Sequence, residues 1–230
     1  MLAFYPVVGV MLVVLMPTLL LSRQRAMIGL QSLCRYLMWA LKHICNITYE
    51  IKGIENFTRP SLIASKHQSA WDTAIFQILM PDIVFVLKKE LTYIPVYGQY
   101  LKKQEMVEVD RSKPAQALKE LIKGTKNAIG QNRSVVIFPE GTRGEPGEDR
   151  EYQHGIASLY KSMGMPVTPV ALNSGVHWPR RSMWKFPGTI TLEFLPAIEH
   201  GLNREEFMQT LKQRIDQASD NLLKEYAHAA

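Results

Sequence analysis

The chain lacks the features that would mark a disulfide scaffold, a metalloprotein or a nucleotide-binding protein. Its two cysteines, Cys34 and Cys45, are too few for a disulfide framework and have no companions at zinc-ligand spacing. It contains no glycine-rich nucleotide loop, no nucleic-acid-binding motif and no GxSxG nucleophile motif. We therefore expect two buried, reduced thiols, no metal, no nucleic-acid partner and no serine nucleophile.

Acidic residues are the minority among the charged side chains. There are 27 lysines and arginines against 21 aspartates and glutamates, and this excess suggests an anionic partner. Because nucleic acid is disfavoured, the excess points to phosphorylated small molecules or to an anionic lipid surface. Apolar residues make up 47% of the 230-residue chain, which is enough for the core of one substantial domain with an appendage.

Charge is absent from residues 2–22, LAFYPVVGVMLVVLMPTLLLS. As one straight helix this stretch would be roughly 30 Å long, about the thickness of the hydrocarbon core of a bilayer. Pro6 and Pro17 could instead kink the helix or make it re-entrant. No cleavage site follows, which argues against a signal peptide. Arg23 and Arg25 come next, and the positive-inside tendency predicts that the downstream chain lies on the cytoplasmic side of the membrane.

Residues 25–47 predict an amphipathic helix. Its apolar side chains recur at steps of three and four residues: Met27, Leu30, Cys34, Leu37, Leu41 and Ile44. Such a helix either packs this stripe on the protein core or lies in the membrane interface, with Trp39 and its basic residues at the level of the headgroups. We place a boundary after it, which gives a membrane-anchoring segment over 1–46 and an α/β domain over 47–230.

The remainder of the chain alternates between strand and helix patterns. Strands are predicted near 47–53, 61–65, 83–87, 106–109, 134–138, 167–172 and 189–195. Helices are predicted near 69–79, 113–130, 155–163 and 203–227. This alternation predicts an α/β fold with a mixed, largely parallel sheet flanked by helices, in addition to the N-terminal membrane-associated helical segment.

The stretch HQSAWD places His67 and Asp72 five residues apart, directly after a predicted strand. On a regular helix the two side chains would point about 140° apart, so they can meet only if His67 precedes the helix. Ser69 has capping-box spacing to Asp72, and the aspartate could simply satisfy a backbone amide at the helix start. If the pair does meet, His67 could act as a general base for the attack of an alcohol on a carbonyl, oriented by Asp72.

A second polar motif, FPEGTR, follows the predicted strand that ends at Pro139. Ligands of open α/β sheets bind at the carboxyl ends of strands. The guanidinium of Arg143, beside a hydroxyl and exposed backbone amides, suits a phosphate group. The alternative is a surface turn with an incidental arginine.

Together, HQSAWD and FPEGTR resemble the glycerolipid acyltransferase family, specifically the 1-acyl-sn-glycerol-3-phosphate acyltransferases. Four family blocks occur in order over about residues 62–172. The matching residues are His67 and Asp72 in the first block, Arg111 in EMVEVDR, Glu140 and Arg143 in the third, and Pro166 and Pro169 in MPVTPVA. The chain departs from the family at Lys66, where asparagine usually precedes the histidine, and its second block is looser than the usual form with glycine and phenylalanine.

The resemblance implies transfer of a fatty acyl group from acyl-CoA or acyl-carrier protein to the 2-hydroxyl of lysophosphatidic acid. The donor would be a co-substrate, and no cofactor is implied. The family's catalytic roles fall on His67 as general base and Asp72 as its orienting partner, and Glu140 serves either acceptor binding or site geometry. The substrate-binding residues that it suggests are Lys88, Lys89, Arg111, Glu140, Gly141, Thr142 and Arg143.

Other acceptors and other classes of protein remain open at this point. Within the same chemistry the acceptor could be another lysolipid, such as a lyso-ornithine lipid, or glycerol 3-phosphate. A non-catalytic membrane-binding protein and a thioesterase are the alternatives from other classes. The stretch 175–188 interleaves Trp178 and Trp184 with Arg180, Arg181 and Lys185, which suits either an anionic membrane interface or a solvated basic loop.

Overall fold

The computed structural model describes residues 4–80 and 82–229. Over these residues the strands are β1 (Ile47–Lys52), β2 (Leu62–Ser65), β3 (Val84–Lys88), β4 (Val107–Val109), β5 (Val135–Ile137), β6 (Val167–Leu172) and β7 (Gly188–Phe194). The helices are α1 (Phe4–Leu15), α2 (Arg23–Cys45), α3 (Trp71–Leu79), α4 (Tyr97–Lys103), α5 (Pro114–Gly130), α6 (Gly155–Met163), α7 (Ser174–His177) and α8 (Arg204–Ala229). Short 3₁₀ turns cover Met16–Leu20, Ile54–Asn56 and Lys89–Tyr93.

The strands form one sheet in the order β1-β7-β6-β2-β5-β3-β4. All neighbouring strands run parallel except β6 and β7, which pair antiparallel. β2 lies at the centre, where Ile63 pairs with Val136 of β5 and with Thr168 of β6. All four residues of β2 are buried, as expected for a strand covered on both faces. The prediction of a mixed, largely parallel sheet flanked by helices is confirmed.

Two helices escaped the sequence analysis. α4 has seven residues and α7 has four, which is too short for either to produce a helical repeat of apolar positions. The predicted helices begin and end within two residues of the observed bounds. Both short helices nevertheless contribute to the site described below.

The uncharged stretch at the amino terminus is not one continuous helix. α1 ends at Leu15, and the 3₁₀ turn that follows has Pro17 in its first positions. Proline cannot donate the backbone hydrogen bond that would continue the helix, so the axis is interrupted there. In the part of the chain that the structure describes, no helix is long and apolar enough to cross a bilayer. Residues 2 and 3 of the predicted stretch lie outside the described residues.

The apolar stripe of α2 packs mainly on the protein core, which confirms the first alternative for that face. Met27, Leu30, Cys34 and Leu41 are buried, and α2 contacts α3 and β1. Ile44, at the end of the stripe, is exposed. The division of the chain at residue 46 stays a prediction.

Polar contacts tie the N-terminal segment to the rest of the protein. The guanidinium of Arg23 donates to both carboxylate oxygens of Asp82, at 2.6 and 3.2 Å. The hydroxyl of Tyr100, on α4, donates to the carbonyl of Leu15 at 2.5 Å and lies 2.9 Å from the hydroxyl of Thr18. These contacts fix α1 and the 3₁₀ turn against α4.

Candidate active site

The sheet brings the predicted site residues to one edge. β2 leads into His67, the neighbouring β5 leads into the turn at 140–143, and β3 ends at Lys88. Arg111 follows β4. Because these strands run parallel, their carboxyl ends meet at the same edge, where open α/β sheets bind ligands.

His67 and Asp72 are in direct contact. Nδ1 of His67 donates to Oδ2 of Asp72 at 2.8 Å, and the backbone N–H groups of Gln68 and Ser69 donate to the same oxygen at 2.8 and 2.9 Å. α3 begins only at Trp71, so His67 lies before the helix and the chain turns back over the aspartate. Asp72 therefore serves both as cap of the turn and as partner of the imidazole. This pairing leaves Nε2 of His67 as the ring nitrogen available to a substrate.

A serine that the sequence analysis missed completes the surroundings of Asp72. The hydroxyl of Ser174, in α7, donates to Oδ1 of Asp72 at 2.5 Å. The Asp72 side chain has no exposed surface, and with this bond both of its oxygens are satisfied. The two residues are 102 positions apart, and no spacing in the sequence could have linked them.

The imidazole of His67 is held flat against an aromatic ring. Its centroid lies 3.9 Å from that of Phe138, and the two ring planes differ by 18°. Phe138 is stacked in turn near Phe85, with ring centroids 6.2 Å apart. The His67 side chain is 15% exposed, on the side of a large cavity. Stacking and the bond to Asp72 together fix the direction in which Nε2 points.

The turn after β5 is joined to the histidine loop and to Arg111. The backbone N–H of Gly144 donates to the carbonyl of His67 at 2.8 Å. A guanidinium nitrogen of Arg111 donates to the carbonyl of Gly141 at 2.9 Å. Gly141 has φ +68°, and a Cβ placed there would lie 2.6 Å from Nη2 of Arg111. The position thus needs glycine for its backbone conformation and for the close approach of the arginine.

A cavity of about 980 Å³ opens at this edge of the sheet. The predicted site residues that line it are His67, Lys88, Arg111, Gly141, Thr142 and Arg143. Lys89 is not among the lining residues, and its ammonium lies 3.9 Å from a carboxylate oxygen of Asp110. The predicted site residues therefore bring the imidazole of His67 and three cationic side chains to this end of the cavity, whose lining also includes His154 and Arg204.

The other end of the cavity is largely apolar and runs between two helices. α2 contributes Leu30, Leu33, Cys34 and Leu37, and α3 contributes Thr73, Ala74 and Gln77, with Ala70 just before its start. Both sets have the spacing of one helical face. Burial raises the pKa of the Cys34 thiol to about 12, so this cysteine stays protonated and is a poor nucleophile. Cys34 and Cys45 are both buried and unpaired, as predicted.

Glu140 does not line the cavity. Its side chain has no exposed surface, and its Oε1 lies 2.8 Å from the ammonium of Lys66. The same ammonium donates to Oδ1 of Asp216, on α8, at 2.8 Å. Burial raises the pKa of the Glu140 carboxyl, and the nearby Lys66 opposes that rise. Of the two roles that the sequence left open for Glu140, this geometry favours the structural one.

The basic loop at 175–188 divides between core and surface. Trp178 is buried and lines the cavity, whereas Trp184 is 69% exposed. The guanidinium of Arg180 donates to the carbonyl of Arg143 at 2.8 Å and so supports the turn from outside. Lys185 is buried, with its ammonium 4.5 Å from the centroid of the Trp178 ring. The loop therefore combines a buried side that supports the site with an exposed aromatic side.

No group of three or more histidine, cysteine, aspartate or glutamate side chains in the described part of the chain is arranged to hold a metal ion. The residues that sequence reasoning missed are Ser174, Phe138 and Asp216. Phe138 is the first residue of the FPEGTR motif, which was a weak sequence signal for it. Lys66 gave a similar signal, because it departs from the family pattern. Ser174 and Asp216 carried none.

Comparison with known proteins gives a consistent result. A family model described as "Acyltransferase" matches residues 48–173. The 1-acyl-sn-glycerol-3-phosphate acyltransferase of Pseudomonas aeruginosa is 37% identical over 177 residues, which cover 76% of this chain and 69% of that protein. The protein of the same name from Limnanthes alba is 31% identical over 155 residues, and this alignment covers 66% of the chain and only 55% of the plant protein.

A solved structure shares the fold. The crystal structure of the 1-acyl-sn-glycerophosphate (LPA) acyltransferase, PlsC, from Thermotoga maritima superposes with a TM-score of 0.78. The match covers 96% of this chain and 93% of that one, at 22% sequence identity. The likeness of fold therefore extends beyond the family-matched region to nearly the whole chain.

Proposed function

Because the chain belongs to the acyltransferase family, we propose that it transfers a fatty acyl group to the 2-hydroxyl of lysophosphatidic acid and so forms phosphatidic acid in phospholipid biosynthesis. The donor is a thioester, either acyl-CoA or acyl-carrier protein. The observation that carries this proposal is the imidazole of His67, which lines the same cavity as Arg111 and Arg143. An alcohol with a phosphate head fits that combination.

In the proposed reaction Nε2 of His67 takes the proton of the acceptor hydroxyl. The hydroxyl oxygen attacks the thioester carbonyl carbon, the carbon–sulfur bond breaks, and the proton returns from His67 to the thiolate. Asp72 accepts from Nδ1 and stabilises the imidazolium that forms in between. Direct transfer without an acyl-enzyme intermediate is supported by Cys34, the cysteine that lines the cavity. Because the pKa of its thiol is high, it stays protonated and is a poor nucleophile.

The cationic end of the cavity suits the acceptor phosphate. Arg111 and Arg143 present guanidinium groups, which can bind phosphate oxygens in pairs, and Lys88 adds a third cation. Arg111 also donates to the carbonyl of Gly141, which fixes its side chain across the cavity wall. An acceptor without a phosphate would offer these cations no anionic partner.

The apolar end of the cavity suits a fatty chain. Its walls come from one face of α2 and one face of α3, and Tyr97 and Leu101 of α4 add to them. The total volume lies at the upper end of the range for small-molecule sites, about 300–1,000 Å³. A fatty acyl chain bound there would have its thioester carbonyl carbon near His67.

We also propose that the protein works at the cytoplasmic face of a membrane and contacts an anionic lipid surface. The support is a set of exposed apolar side chains on the N-terminal helices, which includes Val10, Val13, Leu20, Ile28 and Trp39. Exposed apolar side chains next to basic residues are typical of proteins that enter the membrane interface. The exposed Trp184 belongs to the same proposal.

The test is an assay of the purified chain in phospholipid vesicles with lysophosphatidic acid and acyl-CoA, in which ester product and free fatty acid are both measured. We expect ester to form and His67→Ala to lose about 10²–10⁴-fold in kcat, the usual contribution of a general base. His200→Ala is the matched control, since that exposed histidine does not line the cavity. Full activity in His67→Ala, or fatty acid as the only product, would overturn the proposal.

A further inference from the structure

A second ionic cluster lies behind the candidate active site. Lys66 precedes His67 in the chain, but its side chain does not line the cavity. Its ammonium lies 2.8 Å from Glu140 and 2.8 Å from Asp216. The side chains of Lys66 and Glu140 are 4% and 0% exposed, so this ion pair is screened little by water.

The cluster joins three segments that are far apart in sequence. Lys66 belongs to the loop between β2 and α3, Glu140 to the turn between β5 and α6, and Asp216 to α8. The hydroxyl of Tyr152 donates to Asp216 at 3.2 Å, and Lys212 donates to the other carboxylate oxygen at 2.7 Å. Lys66 is thus the one residue of this group that contacts both carboxylates.

The backbone on either side of Lys66 is held as well. Its N–H donates to the carbonyl of Val170 on β6 at 2.9 Å, which continues the pairing of β2 with β6. The carbonyl of the next residue, His67, accepts from Gly144 at 2.8 Å. A displacement of the Lys66–Glu140 pair would therefore change the distance between the imidazole and the turn that carries Arg143.

Energetics give a reason to look beyond stability. Burial alone would lower the pKa of the Lys66 ammonium, but Glu140 and Asp216 more than offset it, and the pKa is raised. A buried ion pair costs desolvation of both partners and is often no more stabilising than apolar residues of the same size. The pair sits beside the catalytic histidine, where geometry matters most.

We propose that Lys66 is a positioning residue of the transfer reaction: by gripping Glu140 and Asp216 it sets the phosphate-binding turn at the correct distance from His67. This inference rests on the function proposed above. In this arrangement Glu140 acts through Lys66 and does not touch the acceptor. The two residues then work as one unit, and losing either has the consequence of losing both.

The experiment is a double-mutant cycle with Lys66→Met, Glu140→Gln and the double variant, assayed with lysophosphatidic acid and acyl-CoA in vesicles. We expect all three to lose kcat to a similar extent, on the order of 100-fold, because a small misplacement in a catalytic site can cost that much. The KM for lysophosphatidic acid should change little. If Glu140 contacts the acceptor directly, Glu140→Gln raises that KM and the two single effects multiply in the double variant, which overturns the proposal.

Thermal stability separates positioning from simple support of the fold. Lys66→Met leaves a buried carboxylate without its cation and should lower Tm most, whereas the double variant, which buries no charge at this position, should regain much of it. A positioning role predicts that kcat stays low in the double variant although Tm recovers. A merely structural role predicts that kcat recovers together with Tm, and this result would refute the inference.

Lys212→Met is the matched control. Lys212 also pairs with Asp216, but it lies on α8 itself and does not contact Glu140. It should keep wild-type kcat within about twofold, and a loss equal to that of Lys66→Met would contradict the special place given to Lys66. Wild-type turnover is measured first, and its absence would overturn the proposed function. If the wild type is active and Lys66→Met is equally active, only the positioning role of Lys66 is overturned.

Discussion

Asp72 and Glu140 are two buried carboxylates at the same edge of the sheet, and the structure connects them differently. Asp72 accepts hydrogen bonds from His67, Ser174 and two backbone amides, and through the imidazole it reaches the cavity. Glu140 lies against the ammonium of Lys66, which leads away from the cavity to α8. Asp72 therefore influences proton transfer through the imidazole of His67. Glu140 instead influences the relative positions of the chain segments that carry Lys66 and Asp216.

The difference follows from what each partner can do. An imidazole can take and release a proton near neutral pH, so a carboxylate behind it can stabilise a transient charge. A lysine between two carboxylates stays charged, because they raise its pKa. The pair at Glu140 is consequently suited to a permanent structural role. This contrast yields the following predictions.

The largest effect is expected for Asp72→Asn. The amide cannot stabilise the imidazolium, and its NH₂ group competes with the donors that now surround the carboxylate. We expect kcat to fall by about 10²–10⁴-fold, as much as loss of the base itself, with an unchanged KM for lysophosphatidic acid. Steady-state kinetics in vesicles measures both values. A kcat within a few-fold of wild type would mean that Asp72 is only a helix cap.

The sequence was sufficient to predict the contact between Asp72 and His67. His67 and Asp72 stand within six residues, and local capping chemistry forces them together before the helix starts. The alternation of strands and helices likewise predicted the sheet, because the short apolar runs of β2 and β5 are buried throughout, as in strands covered on both faces. Local signals of this kind survive in a single sequence.

The remaining contacts of the two carboxylates and of Lys66 depend on residues that no local sequence pattern connects. Ser174 reaches Asp72 across 102 positions, and Lys66 reaches Asp216 across 150. Both contacts arise because β2 pairs with β6 and because α8 packs on β6. Strand order is a property of the whole chain, so these partners became visible only with the fold. The interrupted N-terminal helix likewise needed coordinates, since Pro17 allowed a kink but did not require it.

The second prediction concerns the pH dependence of stability in Lys66→Met. Burial already raises the pKa of Glu140 above its ordinary value of 4.5, and removal of the cation raises it further. An acid with a raised pKa in the folded state contributes stability below its unfolded pKa and loses that contribution as the pH rises. The free energy of unfolding of Lys66→Met should therefore be closest to that of wild type near pH 4.5. At neutral pH it should be lower than that of wild type by about 3–5 kcal/mol.

Urea unfolding at a series of pH values measures this difference. The other ionisable groups near Glu140 are His67, Arg150, Tyr152 and Asp216, and all of them are retained in the variant. The double variant with Glu140→Gln lacks the titrating carboxylate, so its stability relative to wild type should vary much less with pH. A deficit in Lys66→Met that is constant from pH 4.5 to 8 would show that Glu140 is not the group left unpaired.

The third prediction concerns the cations that face the cavity. Arg143→Gln should raise the KM for lysophosphatidic acid and lower kcat/KM by roughly 10- to 100-fold, since a hydrogen bond to a charged group contributes about 1.5–3 kcal/mol. Arg150→Gln is the control, because Arg150 pairs with Glu148 and does not line the cavity. Equal effects of the two changes would point to net charge instead of a specific phosphate contact.

The smallest effect is expected for Ser174→Ala. The change removes the donor to Oδ1 of Asp72, but the bond from Nδ1 of His67 to Oδ2 remains and still fixes the tautomer. We expect kcat to fall about 2- to 10-fold, which corresponds to the 0.5–1.5 kcal/mol of a typical hydrogen bond. In a variant that also carries Asp72→Asn the serine should no longer matter, because it acts only through that carboxylate. An independent loss in the double variant would place Ser174 in contact with the substrate and extend the catalytic side of the comparison to α7.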